Sequence, residues 1–98
     1  MILTGKIIDG AQASNIGLLN AHGENALELA LSLATDILAA APIAQEQAKL
    51  VISQSANMDI DEAMAFENEA WMRTFFSADR REGHQAFLER RQPTWNGE

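Results

Sequence analysis

Apolar residues between about Glu24 and Ala40 cover more of a helix than one partner surface could bury. Leu27, Ala30, Leu31, Ala34, Leu38 and Ala41 recur at spacings of three and four, which is the period of one helix face. Leu29, Leu33 and Ile37 add a second apolar row beside the first. A helix with apolar surface on more than one side must be covered on more than one side. The feature therefore demands partner surface that a thin bundle of this length does not supply, and it implies an oligomer or a missing domain.

The remaining signals are also helical. Asp9 with Gln12, Asp59 with Glu62 and Asp79 with Glu82 each place an acid at an N-cap and Glu or Gln three positions on. The first pair opens a short helix, "GAQASNI", which Gly17 closes where a left-handed residue is wanted. "GLLNAH" follows as a candidate short strand. Pro42 ends the long helix and suits the first turn of the next, over about 43–55. Further helices are expected over about 60–76 and 79–91, the last ending before Pro93. Ser77 reads as a helix-start residue. The fold class is all-α in the main, with about five helices and at most one short strand, and residues 1–98 form a single helical region.

Charge narrows the partners. The net charge is -7, yet residues 73–98 carry five basic and four acidic residues while 1–72 carry two basic and ten acidic ones. Nucleic acid is a poor partner for such a chain, because phosphate binding needs a clustered excess of Lys and Arg. The absence of cysteine excludes disulfides, thiolate metal sites and cysteine nucleophiles. It fits a reducing cytosol, and a cytoplasmic protein is expected. "ALELALSLATDILAAAPIA" carries Glu28 and Asp36 and is shorter and more polar than a membrane span needs.

Few residues suggest chemistry. Glu67 falls between Met64 and Trp71 at helical spacing and intrudes on an apolar stripe. An acid/base role would need a second group beside it, so a buried acid with a structural partner is expected. His84 is expected to be a partly buried, hydrogen-bonded histidine, and His22 a loop residue. No His/Glu spacing makes a metal site, no glycine pattern makes a phosphate loop, and no serine sits in a nucleophile elbow. Arg90 and Arg91 fall at a helix end, where the macrodipole favours cations. Arg80 and Arg81 sit in a first turn, where it does not, and want another partner. Arginine forks with Trp71 or Trp95 as a stacking face would suit a phosphorylated adenine nucleotide.

The order of these motifs resembles the crotonase, or enoyl-CoA hydratase/isomerase, family. "LTGKIIDGAQASNIGLLN" at 3–20 is similar to that family's Leu-Thr-Gly strand end, Ala-rich short helix and Gly-Leu-Val-Asn. "AAAPIAQEQAKLVI" at 39–52 resembles the helix that follows. "FFSADRREGHQAFLERRQPTW" at 75–95 resembles its ending, Phe-x-Ser-x-Asp-x-x-Glu-Gly-x-x-Ala-Phe-x-Glu-Lys-Arg-x-Pro-x-Phe.

The resemblance covers only the C-terminal portion of that family. It implies that a spiral of ββα turns, carrying the oxyanion-hole N–H groups and the acid/base carboxylates, lies outside this sequence. No catalytic residue and no metal ligand is therefore assigned here, and this chain alone is not expected to turn over. The resemblance further implies a trimer or hexamer in the complete protein, no prosthetic group, and an acyl-CoA substrate whose coenzyme A moiety meets the ending. Glu-Lys-Arg-x-Pro maps onto Glu89, Arg90, Arg91, Gln92 and Pro93, which puts Arg90 at the coenzyme A-contacting lysine. Trp71 falls where an aromatic lines the adenine or acyl pocket. "NAHGE" at 20–24 departs from the family's more apolar Asn-x-Val-Val. The parent reaction implied is hydration of a 2-enoyl-CoA. The alternative is a stand-alone helical interaction module with no ligand.

Overall fold

The computed structural model describes residues 1–98 and is built from five α-helices with no strand. They are α1 (Gly10–Asn15), α2 (Ala26–Leu38), α3 (Pro42–Gln54), α4 (Ile60–Phe76) and α5 (Ala78–Glu89), with a single 3-10 turn at Ser55–Asn57. The mainly helical class is as the sequence implies. The chain divides into two compact units, residues 1–37 and 38–98.

In the first unit the capping box forms as its spacing predicts. Asp9 accepts from the Gln12 N–H at 2.8 Å, and the Gln12 side chain accepts from the Asp9 N–H at 3.2 Å. Two orphan donors at the start of α1 are thereby satisfied. Gly17 has φ +74 and lets the Leu18 N–H reach the Ala13 carbonyl at 2.9 Å, closing α1 with a left-handed residue. "GLLNAH" is not a strand but a run of turns and bends. A strand needs a neighbour to pair with, and its period-two pattern supplies none. α2 starts at Ala26, two residues after Glu24, because Asn25 caps it by accepting from the Glu28 N–H at 3.1 Å.

In the second unit α3 and α4 form a helical hairpin joined through the 3-10 turn. Pro42 stands at the first turn of α3. Asp59 caps α4 through the Glu62 N–H at 2.9 Å, without the reciprocal bond from Glu62. α5 is capped by Ser77, not by Asp79: the Ser77 hydroxyl accepts from the Arg80 N–H at 3.0 Å. The helix ends at Glu89, two residues earlier than its sequence suggests. Arg90 takes the left-handed conformation, φ 54 and ψ 40, and the Arg91 N–H turns back to the Ala86 carbonyl at 3.0 Å. This is the Schellman arrangement, with an arginine where glycine is the usual choice.

The core consists of small residues. Ala13, Ala70 and Ala86 are the buried apolar residues, while twenty large apolar side chains lie open. No residue of α2 is buried. The chain exposes 8171 Å². Two separate compact bodies of 37 and 61 residues would expose about 6,600 Å² between them. The surplus, about 1,600 Å², is what one partner contributes to a large permanent interface. No single helix is long and apolar enough to cross a membrane.

Candidate functional site

The basic ending is first of all a clasp. Residues 91–98 fold back on α5, and two acids of that helix hold them. Asp79 is 1% exposed; its Oδ1 accepts from the Asn96 N–H at 2.7 Å and its Oδ2 from the Gly97 N–H at 3.0 Å. Glu82 accepts from the Thr94 N–H at 2.7 Å and from both terminal nitrogens of Arg91, at 2.6 and 2.9 Å. Arg91 also donates to Glu89 at 2.6 Å. The Glu98 main-chain oxygen accepts from the Ala78 and Asp79 N–H groups and so satisfies the start of α5. Trp95 donates from Nε1 to the Ala39 carbonyl at 3.2 Å, and its ring lies over Gly83, where any Cβ would come within 3.1 Å of it.

This clasp engages one arginine and one aromatic residue of the ending. Arg91 is fully engaged and Trp95 is a wedge. Arg80, which the helix dipole does not favour, sits 4.1 Å above the Phe75 ring. Phe75 in turn stacks on Trp71, centroids 4.9 Å apart, and meets Phe76 edge-on.

The clasp has an electrostatic signature. Bonds from Arg91, and then from the Thr94 N–H, hold the Glu82 carboxyl well down, at about 2. Hydrogen bonds from Gln85 and Arg91 lower Glu89 as well, and the pair raises the Arg91 guanidinium. A depressed carboxylate stabilises the fold above its unfolded value, near 4.5, and the gain is lost as pH falls through about 2. Between pH 5 and pH 2 the thermal midpoint of the native chain should therefore fall more steeply than that of Glu82→Gln. Parallel curves in paired melts would mean that the clasp carries no net charge stabilisation.

Two candidates remain outside the clasp. Arg90 is exposed at the left-handed turn, and its guanidinium engages no partner in the chain. Trp71 is 54% exposed and lines a groove of about 370 Å³ between α3 and α4, with Ala48, Val51, Ala70 and Glu67. Arg90 is not among the residues lining that groove, so the structure does not join the two candidates into one site. Glu67 is exposed at the groove, not buried as its place in the stripe suggests, and His84 is exposed on α5. His22 lies exposed in a loop, its ring packed against Gly10. No cluster of acids and histidines could hold a metal ion. Sequence reasoning places Asp79 at a cap, not at the anchor of the tail, and does not single out Gln47; the one signal for the anchor is an acid two residues after a capping serine.

The fold also occurs in known proteins. The profile of the family described as Enoyl-CoA hydratase/isomerase matches residues 1–98. The chain belongs to the enoyl-CoA hydratase/isomerase family. It is 35% identical to mouse mitochondrial methylglutaconyl-CoA hydratase over 100% of its own length and 33% of that protein's. It is 38% identical to mouse mitochondrial enoyl-CoA hydratase domain-containing protein 2 over 99% of its length and 35% of that protein's. The chain thus spans about a third of these relatives. The crystal structure of enoyl-CoA hydratase from Mycobacterium tuberculosis H37Rv superposes with a TM-score of 0.92 at 35% identity, over 98% of this chain and 39% of that one. The chain thus folds as the matched 39% of that hydratase does.

Proposed function

We propose that this chain is the C-terminal helical part of an acyl-CoA enzyme that hydrates 2-enoyl-CoA thioesters. In that reading its own tasks are to meet the coenzyme A moiety and to pack between subunits of a trimer or hexamer. The thioester oxyanion would be held by backbone N–H groups, and protons moved by carboxylates, in the two-thirds of the relatives that this chain does not span.

The observation that carries the coenzyme A assignment is the backbone of Arg90. A left-handed non-glycine residue costs about 1 kcal/mol, and such strain is retained where it places a group for use. Here it presents a guanidinium that nothing in the chain engages, while its neighbour Arg91 is wholly committed. A rigid fork free in solvent suits a phosphate. Trp71 supplies the aromatic wall beside the adenine or acyl part. The open apolar surface supports the subunit contacts.

Calorimetric titration with coenzyme A tests this. Arg90→Ala should weaken binding about tenfold, the worth of one charge-assisted contact. Arg90→Gly should weaken binding equally while raising stability by about 1 kcal/mol, because it removes the strain with the charge. Unchanged affinity in both variants would sink the assignment. Robust hydration of crotonyl-CoA by the 98-residue chain would refute the division of labour.

A further inference from the structure

The tail of the clasp holds a dipeptide with chemistry of its own. Asn96 precedes Gly97, whereas the other asparagines precede Ile16, Ala21, Ala26, Met58 and Glu69. A Cβ crowds the nitrogen of its own residue, and glycine has none, so its nitrogen can approach the side chain before it. An asparagine followed by glycine is therefore the one most open to attack by the main chain, the reaction that makes asparagine thermolabile. Asn96 lies exposed, and its carboxamide engages no partner.

What restrains the reaction is Asp79. The attacking nitrogen must first lose its proton, and the Gly97 N–H points at Asp79 Oδ2, 3.0 Å away. The Asn96 N–H is tied to Oδ1 at 2.7 Å, so the amides on both sides of the Asn96 side chain are held. Gly97 has φ +75, which lets two successive N–H groups converge on one anion. Asp79 is 1% exposed, so hydroxide has no path to that hydrogen while the tail is down. Carboxylates accept such a bond but are far too weak as bases to take an amide proton.

We propose that Asn96–Gly97 is a deamidation site guarded by Asp79, and that conversion makes a brief release of the tail permanent. When the tail lifts, solvent base takes the Gly97 amide proton. The nitrogen bonds to Asn96 Cγ, the Cγ–Nδ2 bond breaks, and ammonia leaves with a proton from water. Water then opens the succinimide at either carbonyl. Opening at Cγ gives aspartate. Opening at the main-chain carbon gives isoaspartate, in which the chain runs through Cγ and gains a methylene. The net change is carboxamide plus water to carboxylate plus ammonium. Either product sets a second carboxylate beside Asp79, where like charges repel. The isoaspartyl product also moves the Gly97 N–H off its acceptor. This goes beyond the acyl-CoA reading and needs neither Arg90 nor Trp71.

Mass spectrometry of the tryptic peptide Gln92–Glu98 follows the conversion in the 98-residue chain at mildly alkaline pH. The reference is acetyl-Thr-Trp-Asn-Gly-Glu in the same buffer. The chain should convert at least about tenfold more slowly than the peptide, because a charge-assisted bond must open first. Hydrogen exchange of the Gly97 amide should be slowed by the same factor, since both reactions begin by removing one proton from one nitrogen. Urea below the unfolding transition should speed both in parallel. Asp79→Ala should bring the chain to the peptide's rate, and the urea series carries the test if that variant does not fold. Converted chains, separated by ion exchange, should lose the protection of Gly97 and melt at a lower temperature. Asn96→Gln, whose longer side chain closes the ring poorly, should neither convert nor lose protection. A native chain that converts as fast as the peptide overturns the proposal, as does a converted chain that keeps Gly97 protected. Conversion faster than the Gly97 exchange factor allows also overturns it, because Asp79 would then assist the attack instead of guarding against it.

Discussion

Asp79→Ala should cost about 3 kcal/mol and lower the thermal midpoint by about 15 °C. No other polar side chain is so deeply buried, and both of its oxygens are spent on N–H groups 17 and 18 residues away. Charge-assisted bonds of this kind are worth about 1.5–3 kcal/mol each, less the cost of having buried the carboxylate. Its place in the first turn of α5 adds a favourable dipole. A domain of this size has a total stability of about 5–10 kcal/mol, so the loss should be close to disabling. Asp79→Asn keeps the shape and one acceptor but aims an amide N–H at a backbone donor, and about half the loss should remain. Hydrogen exchange locates the effect. The Asn96 and Gly97 amides should lose protection first, and with them the wedge of Trp95 over Gly83. A change under 1 kcal/mol, with those amides still protected, would show that the clasp is held by Glu82 and Trp95 instead.

The clasp also marks the limit of what the residues alone disclose. Local chemistry was legible. α4 runs from Ile60 to Phe76 as its cap and stripe imply, and α1 closes on Gly17. In both cases the deciding groups lie within five residues of each other. The errors occur where the partner is distant or absent. Asp79 looked like a cap because its neighbours have cap spacing, but the tail had already claimed its oxygens. α5 stops at Glu89 with no glycine or asparagine to announce it, because the Glu82–Arg91 bridge pulls the chain back across its own end. Glu67 is expected to be buried because its stripe is apolar, and His84 partly buried, yet both lie exposed. A stripe says that a face wants covering and does not say that this chain covers it. Trp71 is singled out by the family resemblance, but Gln47, which lines the same groove, is not, because a glutamine in a helix reads as surface.

The same reasoning leads to a second large effect, one that leaves stability alone. Leu27 and Leu31 lie one turn apart on α2, 69% and 59% exposed. In a covered core, truncating one leucine costs about 2–5 kcal/mol. Here the double change Leu27→Lys/Leu31→Lys should alter unfolding free energy by less than about 0.5 kcal/mol and keep helical content, since lysine is nearly as good a helix former. What it should remove is association. Each open leucine holds about 1.5–3 kcal/mol of unused transfer free energy, so two lysines on that face should weaken self-association at least a hundredfold. Sedimentation and dye binding against chemical melts separate the two effects. A monomeric variant of unchanged stability means that the face exists to be covered by another surface. A variant that unfolds means that α2 is already buried within the chain in solution, and that the apolar surplus is not an interface. An acyl-CoA enzyme that shares its ending between subunits and a stand-alone interaction module that oligomerises both have a use for an uncovered helix, so the outcome tests the need for a partner surface that the two readings share.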